Sequence, residues 1–211
     1  MYKIVGLLLK IRHGITRRFY PAYYTLVASI KLKAMGAQVG TGFWMDGKIR
    51  LSIASGQVRI GDNLRLRSRY RGNLVGMAFP VTFQLCNGGG NISIGNNCGF
   101  SAVVISSMNQ VKIGNNVILG GNVRIFDHDY HSLDPEIRRD RNRDRQNVKS
   151  SPVLIEDDVF VGTSAIILKG VHIGARSIIG AASVVSIRYI PPDSLVVGNP
   201  ARIIEKGKSS K

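Results

Sequence analysis

Large aliphatic residues recur every six positions in the C-terminal part of the chain. From residue 153 onward, these anchor positions are held by Ile155, Val161, Ile167, Ile173, Ile179 and Val185. Smaller or β-branched residues stand four positions after the first five anchors, at Val159, Ala165, Val171, Ser177 and Ser183. A period of six fits neither the helical period of about 3.6 residues nor the simple alternation of a strand.

The six-residue phase predicts a chain that turns a corner after every short strand. Gly, Asn or Asp follow several anchors upstream, as in the segments 60–63, 94–97 and 113–116, which read IGDN, IGNN and IGNN. Three strands per coil would stack into a triangular solenoid around an aliphatic column. A β-sandwich would instead show breaks every ~8 to 12 residues. We therefore predict a mainly β, parallel β-helix over most of residues 39–204, with a looser stretch at 64–90.

One segment interrupts the repeat. Residues 126–151, FDHDYHSLDPEIRRDRNRDRQNVKSS, have no six-residue phase, are densely charged, and lie between two well-formed sets of coils. Such an insertion has to leave the column as a projecting loop, and loops on rigid scaffolds commonly carry binding and catalytic residues. We refer to this segment as the loop 126–151.

The N-terminal arm, residues 1–38, has basic and apolar residues but no acidic ones. No stretch reaches the ~18 to 20 apolar residues that span a bilayer. Two interpretations stay open: the arm lies on a membrane surface, or it forms a two-helix cap on the main domain. The predicted organisation is thus the arm at 1–38, the β-helix domain at 39–205 and a basic tail at 206–211.

The composition limits the classes of binding partner and the cellular compartment that we expect. The chain of 211 residues has a formal net charge of +16, from 29 basic and 13 acidic residues, which favours a polyanionic partner. Nucleic acid is not expected, because the basic residues at 138–149 lack interleaved aromatics. The two cysteines, Cys86 and Cys98, have neither zinc-site spacing nor the density of a disulfide scaffold. A cytoplasmic location follows, with peripheral attachment to the inner face of the plasma membrane if the arm binds lipid.

The motifs together resemble the left-handed β-helix hexapeptide-repeat acyltransferases, and among these the bacterial sugar O-acetyltransferases of the galactoside and maltose type and of the O-antigen and capsule type. The resemblance rests on the six-residue coils, the DHDYH cluster before a long loop, the run IIGAASVV, and the closing IPPDSLVVGNPARII. It implies left-handed coils, acetyl-CoA as co-substrate, a homotrimer with active sites between subunits, and direct transfer without an acyl-enzyme.

The resemblance places the catalytic general base at His128, the first histidine of the loop. Imidazole suits this task because its ordinary pKa lies near neutral pH. Asp127 and Asp129 flank it, and which of them orients the ring stays open. His131 is a competing base that we interpret, with Asp129 and Ser101, as contacting substrate. His128, Asp129 and His131 are legal zinc ligands, but they lack a fourth partner, so no metal is expected.

The same resemblance assigns the acetyl-CoA site to small residues of the last coils. The matching positions are Gly162, Thr163, Gly180, Ala181 and Ala182, with Arg188 and Arg202 near the phosphates. For Gly162, a purely structural role at a bend is an equal alternative.

The chain departs from the sugar-acetyltransferase pattern in three places. Phe160 stands where Trp is common, which is a mild change, and the segment SIRYIPP is one residue longer than the usual turn. Ser101 stands where galactoside-type enzymes carry a substrate-binding Asn. Ser101 and the arm together favour a surface-polysaccharide precursor or lipid-linked glycan over a small free sugar. The alternatives are N-acyl transfer to an amino sugar and a non-catalytic β-helix scaffold. A carbonic anhydrase of this fold would need three interface histidines, and only His128 and His131 are close in sequence.

Overall fold

A helix, a long β-solenoid and one projecting loop with two short helices make up the described part of the chain. The computed structural model describes residues 19–53, 55–69, 76–86 and 89–204. Helix α1 covers residues 19–34. Residues 1–18 of the predicted arm and the predicted tail at 206–211 lie outside the described residues. No described helix combines the length and apolarity needed to cross a bilayer.

The strands form three sheets, and the chain visits the first, second and third sheet in turn within each coil. The first sheet contains β1 Gln38–Val39, β4 Gln57–Ile60, β7 Asn91–Ile94, β10 Gln110–Ile113, β13 Val153–Ile155, β16 His172–Ile173 and β19 Tyr189–Ile190. The second contains β2 Trp44–Asp46, β5 Arg65–Arg67, β8 Gly99–Ser101, β11 Ile118–Leu119, β14 Phe160–Val161, β17 Ile178–Ile179, β20 Leu195–Gly198 and β21 Ala201–Ile204. The third contains β3 Ile49–Ile53, β6 Val81–Leu85, β9 Val104–Ser107, β12 Arg124–Phe126, β15 Ile166–Ile167 and β18 Val184–Val185.

Among the described residues, all strand pairs are parallel except β20 with β21, which form an antiparallel pair at the C-terminal end of the solenoid. The predicted left-handed parallel β-helix is therefore confirmed. The three sheets meet at three edges of a prism. We call them the first edge, between the first and second sheets; the second edge, between the second and third sheets; and the third edge, between the third and first sheets.

The six-residue anchors fill the interior of the prism. All six anchors from Ile155 to Val185 are at most 2% exposed, and the small residues between them, including Ser177 and Ser183, are also buried. Alternate side chains such as Phe160 and Ile178 point outward and are partly exposed. The looser stretch still contributes coils, since Leu66 and Phe83 are fully buried. Burial of this continuous aliphatic column supplies the main driving force for folding.

Stacked asparagines explain the turns at the first edge. Asn63, Asn97 and Asn116 all have φ between 57 and 59°, a left-handed conformation that Asn tolerates better than most residues. Their side chains form a ladder, with Asn63 Nδ2 donating to Asn97 Oδ1 at 3.0 Å and Asn97 Nδ2 donating to Asn116 Oδ1 at 3.4 Å. The ladder continues to Asp158. The Asn and Asp residues after the anchors therefore fix the corners and join successive coils.

The loop 126–151 leaves the prism at the third edge, between β12 and β13. It contains two short helices, α2 at Pro135–Arg138 and α3 at Arg141–Gln146, each capped at its N-terminus by an aspartate side chain. An isolated antiparallel bridge between His128 and Ser150 closes the base of the loop. The loop is thus anchored at the point where its first histidine leaves the sheet.

Candidate active site

Asp127 and His128 form a buried dyad at the base of the loop. They directly follow β12, so the third sheet fixes their backbone, and Asp127 N–H donates to Ser106 O at 3.4 Å. His128 Nδ1 lies 2.9 Å from Asp127 Oδ1. The side chains of Asp127 and His128 are 0% and 2% exposed. A carboxylate on Nδ1 fixes the tautomer that leaves Nε2 to exchange a proton.

The Asp127 carboxylate is held from the preceding coil as well. Met108 N–H donates to Oδ1 at 2.7 Å, while Ser107 Oγ–H and Asn109 N–H donate to Oδ2 at 2.8 and 2.9 Å. Burial alone would raise the pKa of Asp127, but the hydrogen bonds from His128, Met108, Ser107 and Asn109 hold it below its ordinary value. Asp127 is therefore an ionised and rigid support for His128.

Asp129, the other flanking carboxylate, does not touch the His128 ring in any hydrogen bond of the described residues. Its Oδ1 instead forms an ion pair with Lys169 Nζ, and its N–H donates to Lys149 O at 3.1 Å. Of the two candidates that the sequence left open, the structure places Asp127 on the imidazole. Asp129 ties the loop to the following coil.

The thiol of Cys86 lies next to Nε2, the second ring nitrogen of His128. Cys86 Sγ lies 3.5 Å from His128 Nε2 and 3.6 Å from Ser106 Oγ. Burial favours the neutral ring, but the hydrogen bonds with Asp127 and Cys86 raise the pKa of His128 to about 9. The hydrogen bond with His128 lowers the pKa of the Cys86 thiol. The dyad thus extends into a Cys86–His128–Asp127 row.

Tyr130 covers the same imidazole. Its ring centroid lies 4.3 Å from that of His128, and its hydroxyl donates to Gln84 Oε1 at 3.3 Å. Tyr130 has a φ of 65°, which is unusual for an aromatic residue. The His128 imidazole therefore lies among Asp127, Cys86 and Tyr130, with its side chain only 2% exposed.

His131 belongs to a separate and more exposed pair. Its Nδ1 lies 2.7 Å from Asp144 Oδ2, and Ser132 N–H donates to Asp144 Oδ1 at 2.6 Å. The His131 side chain is 68% exposed. The hydrogen bond of His131 with Asp144 joins the start of the loop to α3, and His131 is not part of the Cys86–His128–Asp127 row. Across the described ranges, no cluster of three or more His, Cys, Asp and Glu could hold a metal ion.

Most of the residues assigned to acetyl-CoA lie at the second edge, along a column of small residues. Phe100, Leu119, Val161 and Ile179 are in register on successive strands of the second sheet. Each is followed at this edge by a small residue, and the resulting column consists of Ser101, Gly120, Gly162 and Gly180. Ser101 therefore lies at the second edge, away from the edge that carries His128.

The neighbouring small residues of this column differ in exposure. Ala181 and Ala182 are exposed and Thr163 is partly exposed, whereas Gly162 is buried. A Cβ on Gly162 would lie 2.6 Å from the backbone nitrogen of Ala181. Close stacking of two coils therefore requires glycine at position 162, which favours its structural role.

The two predicted phosphate-binding arginines lie at different edges. Arg202 on β21 lies opposite Val197 on β20, and the Val197 side chain packs at Gly180. Arg202 therefore lies at the C-terminal end of the column at the second edge. Arg188 precedes β19 at the third edge, and a Cβ on Gly170 would lie 3.5 Å from its guanidinium. Within one chain, the structure groups Arg202 with the column and separates Arg188 from it.

Sequence reasoning missed several neighbours of His128. Cys86, Ser107 and Tyr130 contact the dyad, and Lys169 holds Asp129. Strands β6, β9 and β12 run side by side and end at the third edge, which brings residues 86, 107 and 127 together. This strand register could have predicted the cluster, but the six-residue phase is lost in the sequence before β6, so the register could not be read from the sequence.

Comparison with known proteins agrees with the repeat pattern. Residues 152–186 match the family model for the bacterial transferase hexapeptide (six repeats). The predicted resemblance to hexapeptide-repeat acyltransferases is thereby confirmed. The galactoside O-acetyltransferase of Escherichia coli is 33% identical over 129 residues, which cover 60% of this chain and 58% of that protein. The chain spans 56 to 59% of the length of three curated relatives that it matches.

Solved structures share the fold. A hexapeptide-repeat-containing acetyltransferase from Vibrio cholerae is 25% identical, with 94% of this chain and 88% of that chain covered and a TM-score of 0.57. Its complex with acetyl-CoA matches at 35% identity over 59% of this chain and 63% of that chain, with a TM-score of 0.50. An N-acyltransferase from Bacillus cereus, bound to dTDP-4-amino-4,6-dideoxyglucose and coenzyme A, is 20% identical, covers 83% and 87% of the two chains with a TM-score of 0.62, and shows the fold alone.

Proposed function

We propose that this protein is an acetyl-CoA-dependent O-acetyltransferase that transfers an acetyl group to a sugar hydroxyl of a surface-polysaccharide or lipid-linked glycan precursor. The observation that carries the proposal is the buried Asp127–His128 dyad at the base of the loop, with Nδ1 and Oδ1 2.9 Å apart. The similarity to a galactoside O-acetyltransferase and to an acetyltransferase structure with acetyl-CoA supports the reaction class.

His128 is the proposed general base. With a pKa of about 9 in the resting protein, most of the His128 ring carries the additional proton at pH 7. An acceptor hydroxyl that replaces the Cys86 thiol at Nε2 removes one of the hydrogen bonds that raise this pKa. The pKa then moves down towards the working pH, where His128 takes the hydroxyl proton as the oxygen attacks the acetyl carbonyl. In this scheme transfer is direct.

The second-edge column is the proposed acetyl-CoA site. Ala181 and Ala182 offer small exposed side chains beside Thr163, which leaves a narrow surface for an extended chain. Arg202 is exposed at the end of the column, where its guanidinium can pair with phosphate. These residue types fit the ligand, which supplies an activated acyl group as a thioester.

The separation of the two half-sites supports a homotrimer as part of this proposal. His128 lies at the third edge and Ala181 at the second edge of the same prism. One chain therefore does not bring the base to the column, whereas a ring of copies can place the third edge of one subunit against the second edge of its neighbour. Arg188, which lies at the third edge, would then reach the cofactor from the adjacent subunit.

Mixing two inactive variants tests the shared site. His128→Ala removes the base, and Ala181→Trp obstructs the column, so homogeneous preparations of each should be inactive. Subunits unfolded and refolded together should regain a sizeable fraction of activity, because some interfaces combine an intact base with an intact column. A mixture as inactive as its parents would contradict the shared site; a mixture of His128→Ala with Asp127→Ala is the matched control.

The reaction itself is tested with acceptors of different size. Purified protein is incubated with acetyl-CoA and either free hexoses or undecaprenyl-linked oligosaccharides, and thiol release and product mass are followed. We expect acetylation of the lipid-linked oligosaccharides, with little on the free sugars. If the protein acetylates neither the free hexoses nor the lipid-linked oligosaccharides, the proposed substrate is contradicted.

N-acyl transfer to an amino sugar is the second candidate. The favouring observation is the fold shared with the Bacillus cereus N-acyltransferase. The bond formed distinguishes the two, because an O-acetyl ester is cleaved by mild alkali or hydroxylamine and an N-acetyl amide is not. A product that resists both treatments would replace the O-acetyltransferase proposal by this one.

A membrane-facing role for helix α1 belongs to the same proposal. Phe19, Tyr23, Leu26 and Ile30 lie along one face of α1 and are 58 to 69% exposed. The opposite face is buried through Ala28 and Leu32. The exposed stripe of a strongly basic protein suits an anionic lipid surface. A cytoplasmic protein held peripherally at the inner face of the plasma membrane would meet a lipid-linked acceptor there.

Vesicle co-sedimentation tests this role. The full chain should sediment with phosphatidylglycerol vesicles more than with phosphatidylcholine vesicles, and Leu26→Glu should weaken sedimentation. Ile178→Glu, which adds the same charge at a residue 41% exposed on the second sheet, is the control. Equal sedimentation of both variants would contradict a role for α1 and favour a packing cap.

A further inference from the structure

The two cysteines of the protein have opposite environments. Cys98 is 1% exposed, and its sulfur contacts the carbonyl oxygens of Asn96 and Gly114 at 3.4 and 3.2 Å. Burial raises the pKa of this thiol, which keeps it protonated and unreactive. Cys86 is partly exposed and lies in the His128 row instead. Cys98 therefore serves as a buried reference thiol in the same chain, against which the reactivity of Cys86 can be compared.

The surroundings of Cys86 are those of an activated thiol. Its Sγ lies 3.5 Å from His128 Nε2, and the same imidazole is held on Nδ1 by the Asp127 carboxylate at 2.9 Å. Ser106 Oγ, 3.6 Å from the sulfur, offers a second hydrogen bond to a thiolate. A nucleophile next to a base, which is in turn oriented by a third group, is the general pattern of activated cysteine and serine residues.

We propose that Cys86 is a modification site at which hydroperoxides oxidise the sulfur to a sulfenic acid, and that this modification withdraws His128 from the acceptor. The thiolate sulfur attacks one peroxide oxygen, so that an S–O bond forms while the O–O bond breaks. The sulfur loses two electrons and the peroxide gains them. For hydrogen peroxide, the departing hydroxide takes the proton of the His128 imidazolium and leaves as water.

The consequence for the site follows from the short contacts. A sulfenic oxygen on Sγ would enter the space between Cys86 and Nε2, which are already 3.5 Å apart, and would hydrogen-bond to His128 or Ser106. An acceptor hydroxyl has to occupy this same position next to Nε2. This second half of the proposal rests on the proposed function, whereas the oxidation itself does not.

Dimedone labelling after hydrogen peroxide treatment tests the oxidation, because dimedone reacts with sulfenic acids. Intact mass and peptide mapping should show one adduct per chain, on Cys86, in the wild type and in Cys98→Ser. Cys86→Ser should show none. His128→Ala should be labelled at least about tenfold more slowly at pH 7, since it removes the group that stabilises the thiolate. Equal labelling of both cysteines, or an unchanged rate in His128→Ala, would overturn the proposal.

Activity measurements separate this proposal from the proposed function. Peroxide should abolish most of the thiol release by the wild type, dithiothreitol should restore it, and Cys86→Ser should keep its own untreated rate. Full labelling of Cys86 with unchanged wild-type activity would overturn the inhibitory half. A protein that labels on Cys86 after peroxide treatment, but transfers no acetyl group before treatment, would contradict the proposed function alone.

Discussion

Replacing Asp127 with asparagine should change the ionisation of His128 more than any other single substitution near the ring. Hydrogen bonds with Asp127 and Cys86 raise the pKa of His128 from its usual value of about 6.5 to about 9, against the opposing effect of burial. That difference corresponds to roughly 3 kcal/mol of preference for the imidazolium. In Asp127→Asn the buried ring loses its ionised partner, so we expect the pKa of His128 to fall to 6.5 or below.

The same substitution should also lower stability. The Asp127 carboxylate accepts hydrogen bonds from four donors, two on each oxygen. An asparagine side chain offers only one oxygen. Its NH₂ group, which is itself a donor, would face two hydrogen-bond donors and leave them without an acceptor. Each buried group left without a partner costs about 1 to 3 kcal/mol, so the loss of two partners should lower the free energy of unfolding by about 2 to 6 kcal/mol.

Two-dimensional NMR of the histidine Cε1–H groups measures the pKa directly, and urea titration measures the stability. Asp129→Asn is the matched control, because it makes the same chemical change on the other side of His128, where the carboxylate contacts Lys169 instead. The control should leave the pKa of His128 within about half a unit of the wild type. Equal shifts in the two variants, or a wild-type ring that already titrates at 6.5, would refute the reasoning.

Three further predictions concern the pH profile, the core and the corners. The value of kcat/KM should rise with pH towards about 9, because catalysis needs the neutral form of His128; a profile that levels off near 6.5 would contradict this. In urea titrations, Ile167→Ala should cost about 2 to 5 kcal/mol, and Ile178→Ala, which is 41% exposed, should cost far less; similar losses would argue against the aliphatic column. Asn116→Ala should cost about 1 to 3 kcal/mol, because it loses a ladder hydrogen bond and strains a residue with a φ of 57°, and Asn116→Gly should recover part of that loss.

The hexad pattern predicted the fold because one physical constraint repeats along the chain. Every coil needs a buried aliphatic residue at the same phase, and Ile155 or Ile173 can be recognised without any knowledge of the partner strand. The loop 126–151 was predictable for the converse reason, because no such phase holds there. His128 was found through the resemblance to a family and not through the pattern alone.

The neighbours of His128 could not be predicted in the same way. The position of Cys86 depends on the register of β6 against β9 and β12. The sequence between β5 and β6 lacks the six-residue phase from which this register could be read. The choice of Asp127 over Asp129 depends on the direction in which each side chain leaves the backbone. Arg188 and Arg202 both looked suitable for phosphate, but only the order of the edges shows that they lie apart within one chain.

Thiol release from acetyl-CoA by the wild type and His128→Ala, in the presence of a glycan acceptor, tests the central claim most directly. The substitution should leave the far-ultraviolet circular dichroism spectrum unchanged, because His128 lies outside the aliphatic column. Turnover should fall by about 10² to 10⁴, the usual range for a positioned general base. His131→Ala, in which the exposed histidine paired with Asp144 is lost, should cost much less. A folded His128→Ala protein that releases thiol at the wild-type rate would contradict the account.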